Sequence, residues 1–226
     1  MHDVRIPNLR WLEENGSMDS ILNADPTNEQ GLILFYGPSN FTRWKPYWLH
    51  RSMEDDIRMK DGSRAVVNHG FGTSSAEELL YYYPRLVRPW NPRALVLATG
   101  NNDTYGYTAD EVTFMLFRIL EWARKDFPGI RLFLETGKPA PSRKNASLAR
   151  KSTIEEQERI IRAYAAAHDD VTLIDHAVIP DFFQPGHVGD YDYPRFELFV
   201  PDGVHYNQAG YDVYRDLYLR LLDDLL

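Results

Sequence analysis

The chain has 226 residues, enough to bury a full core without covalent or metal staples. It contains no cysteine, which excludes a disulfide scaffold, a cysteine-ligated zinc, an iron–sulfur centre and a thiolate nucleophile. Its 25 basic residues against 33 acidic ones leave a net charge of −8, which argues against a nucleic-acid partner, and 43% apolar residues exclude wholesale disorder.

In chain order, Met1 to Leu22 mixes charged and apolar residues, so no signal peptide is expected and a cytoplasmic location is the default. No apolar run approaches the roughly 20 residues that would span a bilayer. Residues 1–226 read as one domain, with 1–30 as an N-terminal extension packing on it. Five short aliphatic runs then follow: Leu32–Tyr36, Ala65–Asn68, Ala94–Ala98, Ile130–Leu134 and Val171–Ile174. Several are apolar at consecutive positions, the pattern of strands covered on both faces.

Helical segments separate them. Thr108 with Glu111 makes a capping box ahead of Val112, Met115, Leu116, Ile119 and Ala123, and Phe127-Pro128-Gly129 stops that helix. Ser152 with Glu155 reads as a second box, and a last helix starts near Asn207. Strand–helix alternation predicts parallel pairing through right-handed crossovers, hence a three-layer α/β/α sandwich. Two long loops, from about Thr136 to Arg150 and from His176 to Pro201, are expected to shape a site.

Ligands of such sheets bind at the carboxyl ends of the strands, so the residues just past each strand matter most. These are Gly37-Pro38-Ser39-Asn40, then Asn68 to Ser74, then Gly100-Asn101-Asn102-Asp103; Asp202-Gly203-Val204-His205 precedes the last helix. Together they supply what acyl transfer needs. A serine hydroxyl is a poor nucleophile until a base takes its proton; His205 suits that role, and Asp202 could hold its tautomer. Candidate donors for the oxyanion are the Ser39 N–H, a backbone N–H of the Gly72–Thr73 turn and the Asn102 side-chain amide. Each piece alone has a plainer reading: Ser39 as a helix cap, Asp202-Gly203 as a turn, Tyr105, Tyr107, Phe182, Phe183 and Tyr206 as core instead of substrate walls. Neither His50, His168 nor His187 has metal-ligand spacing, and no phosphate-binding, zinc-protease or dinucleotide fingerprint is present.

The four blocks resemble the SGNH (GDSL-type) hydrolases, whose blocks carry Ser, Gly, Asn and His. Trp44, the segment Tyr82 to Leu86 and the stretch Asp202 to Tyr211 are similar to the branch of platelet-activating-factor acetylhydrolase. The resemblance, from about Leu32 to Leu222, implies a flavodoxin-like sheet of five parallel strands in the order 2-1-3-4-5. It also implies ester hydrolysis through a covalent acyl-serine. By position Ser39 is then the nucleophile, His205 general base and acid, Asp202 its orienter and Asn102 an oxyanion donor. Two positions depart from the pattern. Pro38 replaces the family's Asp, and Thr73 falls where the family has its oxyanion glycine; if that glycine has positive φ, a β-branched residue is strained there. An α/β-hydrolase elbow would require Gly-x-Ser-x-Gly, and Phe41 stands at its second glycine. The expectation is a serine esterase acting on a small-molecule ester of a short acyl or acetyl group, a carbohydrate being one candidate carrier, with no cofactor and no metal. The alternative is a module that holds a carbohydrate or acyl ligand without turning it over.

Overall fold

The structure is a computed structural model that describes residues 28–99, 102–103 and 106–226. The expected N-terminal extension therefore falls almost entirely outside the described residues. Five parallel strands, β1 (Ile33–Tyr36), β2 (Val66–Asn68), β3 (Ala94–Leu97), β4 (Arg131–Glu135) and β5 (Val171–Ile174), pair in the order β2-β1-β3-β4-β5. Every residue of β1, β2 and β3 is buried, as unbroken apolar runs require.

Alternation along each strand divides the core. Leu34, Tyr36, Leu95, Leu97, Leu132 and Leu134 face one layer of helices, α3 (Ala76–Leu86), α4 (Ala109–Asp126) and α6 (Leu148–Ala166). Ile33, Phe35, Val96 and Phe133 face the other layer, α1 (Ser39–Thr42), α2 (Met53–Asp56) and α7 (Gln208–Leu221). Trp44 is fully buried in that second layer against Tyr211, Tyr214 and Tyr218, and its indole N–H donates to Asp56 at 2.8 Å. Each large apolar side chain buried in this way contributes about 2–3 kcal/mol.

Helix boundaries follow the caps. The Thr108–Glu111 box opens α4 as the sequence indicates, and Asn207 caps α7. A box not anticipated from the sequence, Ser75 with Glu78, opens α3. The expected box at Ser152 is incorrect: Ser147 accepts the Arg150 N–H and starts α6 earlier, so Ser152 lies inside the helix. The loop after β4 is correspondingly shorter and holds one helical turn, α5 (Pro141–Lys144). The loop after β5 is held by three 3₁₀ turns and by an antiparallel bridge between Phe183 and Pro194. No helix of the described residues is long and apolar enough to cross a membrane.

Candidate active site

The strand order reverses between β1 and β3, so the chain leaves these two neighbours in different directions and opens a crevice above them. Ser39 stands there as the first residue of α1. Pro38 occupies the cap position and no side chain caps this turn, so the Ser39 hydroxyl is not spent on the helix. Block two grips the turn from below. The Asn68 amide donates to the Phe41 carbonyl at 2.8 Å and accepts the Gly70 N–H at 3.0 Å. Gly70 admits no side chain, because a Cβ would lie 2.5 Å from the Cβ of Phe41.

His205 reaches Ser39 from the other end of the sequence. Asp202 Oδ1 accepts the N–H groups of Val204 at 2.8 Å and His205 at 2.9 Å, closing a tight turn whose Gly203 has φ 65°. The turn docks on α5: Ser142 donates its N–H to the Gly203 carbonyl at 2.9 Å, and a Cβ on Gly203 would crowd Pro141 at 3.2 Å. Asp202 Oδ2 lies 2.7 Å from His205 Nδ1, and His205 Nε2 lies 3.0 Å from Ser39 Oγ. A carboxylate can only accept, so Nδ1 carries the proton and the Nε2 lone pair faces the serine hydroxyl.

Electrostatics keep that lone pair available. Burial lowers the His205 pKa; the Asp202 hydrogen bond works against this, while Lys138 and Arg43 lower it further. Burial opposes the Asp202 charge, but the His205 amide, the His205 ring and the Val204 amide overcome it and bring the pKa to about 2. The Arg43 guanidinium, 3.5 Å from Asp202 Oδ2, lies over the Trp48 ring at 4.4 Å.

The other expected site residues surround this line unequally. Asn102 and Ser39 both line a cavity of about 190 Å³. The Asn102 amide donates to the Ser74 carbonyl at 3.0 Å, and the same NH₂ has a second hydrogen to give. The buried Asp103 beside it accepts the Ala76 N–H at 2.6 Å, fastening the third block to the start of α3. Burial raises its pKa to about 7. Gly72 and Thr73 lie outside the cavity wall formed by the described residues. Thr73 has φ 61°, so a β-branched side chain does sit in the left-handed region. Gly100, Asn101 and Tyr105 lie outside the described residues. Phe182, Phe183 and Tyr206 are core residues, not substrate walls, and the Tyr107 hydroxyl is engaged by Glu77.

Sequence reading did not identify Lys138 or Arg43. Lys138 is only 8% exposed, lines the cavity, donates to Asn40 Oδ1 and lies 4.6 Å above the Tyr206 ring. A lysine between Gly137 and Pro139 reads as an exposed loop residue, and nothing local signals its burial. Beneath it Glu135, fully buried, accepts the Tyr214 hydroxyl at 3.2 Å, and burial raises its pKa to about 8. Among the described residues no group of histidine and carboxylate side chains could hold a metal ion.

The sequence model of the GDSL-like lipase/acylhydrolase family matches residues 26–213, and the chain belongs to that family. It is therefore an ester hydrolase built on an α/β sandwich. Solved structures share the fold. A GDSL-like lipase from Bacteroides thetaiotaomicron is 20% identical with a TM-score of 0.66, the match covering 94% of this chain and 98% of the other. A Streptococcus pneumoniae protein provisionally named a platelet activating factor is 19% identical with a TM-score of 0.68, covering 99% and 100%. An acetyl-xylooligosaccharide esterase from Geobacillus stearothermophilus is 15% identical with a TM-score of 0.59, covering 85% and 94%. No curated protein matches the sequence.

Proposed function

We propose that the protein is a serine esterase that removes a short acyl group, an acetyl group included, from a small-molecule alcohol. Ser39 would be its nucleophile, His205 its base and acid, and Asp202 the residue that orients the imidazole. The observation that carries this reading is the continuous line from Asp202 through His205 to Ser39, with contacts of 2.7 Å and 3.0 Å. Ser39 Oγ attacks the ester carbonyl carbon as its proton passes to His205 Nε2. The oxyanion meets the Ser39 N–H and the Asn102 side-chain amide, both on residues that line the cavity. Collapse expels the alcohol, which takes the Nε2 proton and leaves an acyl-Ser39 ester. Water then gives a proton to Nε2 as it attacks, and the acid departs with Ser39 restored.

A carbohydrate as the acetyl carrier is supported by the likeness of fold to the acetyl-xylooligosaccharide esterase. The whole chain is further proposed to act as one domain. Turnover of 4-nitrophenyl acetate by Ser39→Ala tests the reading. A loss of roughly 10³-fold or more in kcat is expected, and undiminished turnover would remove Ser39 from the mechanism.

A further inference from the structure

The cavity beside Ser39 has a charge opposite to that of the chain. The protein carries a net charge of −8, yet the described residues lining this cavity include Lys138 and Arg150 and no carboxylate. Lys138 is the informative one. Its ammonium has three protons to donate and is more than nine-tenths buried, but its hydrogen-bond partner among the described residues is one neutral oxygen, Asn40 Oδ1. Aromatic faces fill part of the remaining shell, with Tyr206 at 4.6 Å and Phe199 at 6.0 Å. A buried cation with so little compensation is costly unless an anion joins it.

The charged groups around Lys138 do not supply that anion. Asp202 favours its charged form but is committed to the His205 ring and to two backbone N–H groups. Glu135 also favours it, but burial disfavours its charge and its carboxyl meets the Tyr214 hydroxyl, with no hydrogen bond to Lys138 among the described residues. Arg43 and the nearby His205 add only positive or neutral groups. Burial consequently lowers the Lys138 pKa to about 7. A cavity of about 190 Å³ has room for a carboxylate on a few carbon atoms.

We propose that this cavity receives an acidic group of the substrate, so that the enzyme prefers esters carrying a carboxylate or phosphate close to the scissile bond. Lys138 is its specificity-determining residue, and Arg150 adds positive charge to the same wall. The proposal rests on the serine-esterase reading, because it places the anion relative to Ser39. A lysine that served only to pin Asn40 would confer no preference for anions.

Two matched pairs of esters test it and distinguish the side of the ester that bears the charge. On the acyl side, mono-4-nitrophenyl glutarate is compared with 4-nitrophenyl hexanoate. On the alcohol side, 4-acetoxybenzoate is compared with 4-acetoxybenzamide. In one pair the anionic member is expected to have a kcat/KM at least about tenfold higher, the effect of one charge-assisted contact. Lys138→Met should abolish that ratio whatever it does to the neutral member. Arg150→Gln, at a half-exposed position, should reduce it and serves if the lysine variant does not fold. Equal turnover within both pairs would overturn the proposal, and so would a preference that persists in both variants. Failure of the serine reading is separate: Ser39→Ala would then still cleave 4-nitrophenyl acetate.

Discussion

The catalytic line and the polar layer beneath it treat charge in opposite ways. Asp202, with its side chain 40% exposed, is surrounded by donors and remains ionised far below neutrality. A few residues away in space, Glu135 and Lys138 are buried with few partners, and burial drives both toward their neutral forms. The difference is one of compensation: three donors outweigh desolvation at Asp202, whereas one neutral partner does not at Lys138. A group can therefore be kept charged by its hydrogen bonds or left ready to respond to a ligand by the lack of them.

The largest expected effect lies on the catalytic line. Asp202→Asn should leave the fold intact and lower kcat by roughly 10³–10⁴-fold, because an amide no longer enforces the Nδ1-protonated tautomer. Kinetics on 4-nitrophenyl acetate measure this, and a loss below tenfold would mean that the 2.7 Å contact does not orient the ring.

The next effect sharpens the same contrast with a buried pair that is compensated. Arg143 and Glu158, each with a side chain 4% exposed, meet at 2.5 Å and 3.2 Å. Arg143→Met leaves the Glu158 carboxylate facing only Arg162, 3.6 Å away, and should cost about 3 kcal/mol in denaturant unfolding. Because Arg143 belongs to α5, on which the Asp202–His205 turn rests, activity should fall with it. A cost under 1 kcal/mol would show that the pair is solvated in practice.

A third prediction concerns pH. The base must be neutral to accept the serine proton, and the His205 pKa lies below its ordinary value. The acid limb of kcat/KM should accordingly fall below the usual histidine pKa of about 6.5. Lys138→Met removes a positive charge that disfavours the imidazolium, so the limb should move to higher pH. A limb that stays in place would mean that Lys138 does not act on His205. The smallest effect is at Thr73, whose φ of 61° suits glycine. Thr73→Gly should raise stability by about 1 kcal/mol, measured by thermal unfolding.

What the sequence revealed follows this same division. The parallel sheet and the meeting of Ser39 with His205 at its edge were legible because they follow from general rules, whereas the strand order came from the resemblance to the SGNH hydrolases. Unbroken apolar runs imply a covered parallel sheet, and a covered parallel sheet brings the ends of its strands to one edge. The strain at Thr73 was legible as a conditional, from a β-branched residue in a glycine position. Lys138 was not, since its burial depends on Tyr206 and Phe199, which approach from a loop some 60 residues away. The start of α6 was misread for a local reason: Ser147 and Ser152 are both plausible caps, and only the loop packed before them decides between them. Ser75 with Glu78 carried an unused signal of the same kind as Thr108 with Glu111.

The central claim is that Ser39 carries the acyl group, and trapping that group tests it most directly. Intact-mass and peptide mass spectrometry after a fluorophosphonate probe, or after a rapid acid quench with 4-nitrophenyl acetate, should find one adduct on the peptide containing Ser39 and none in Ser39→Ala. A full-turnover enzyme whose adduct lies on another residue, or which forms none, would contradict the account.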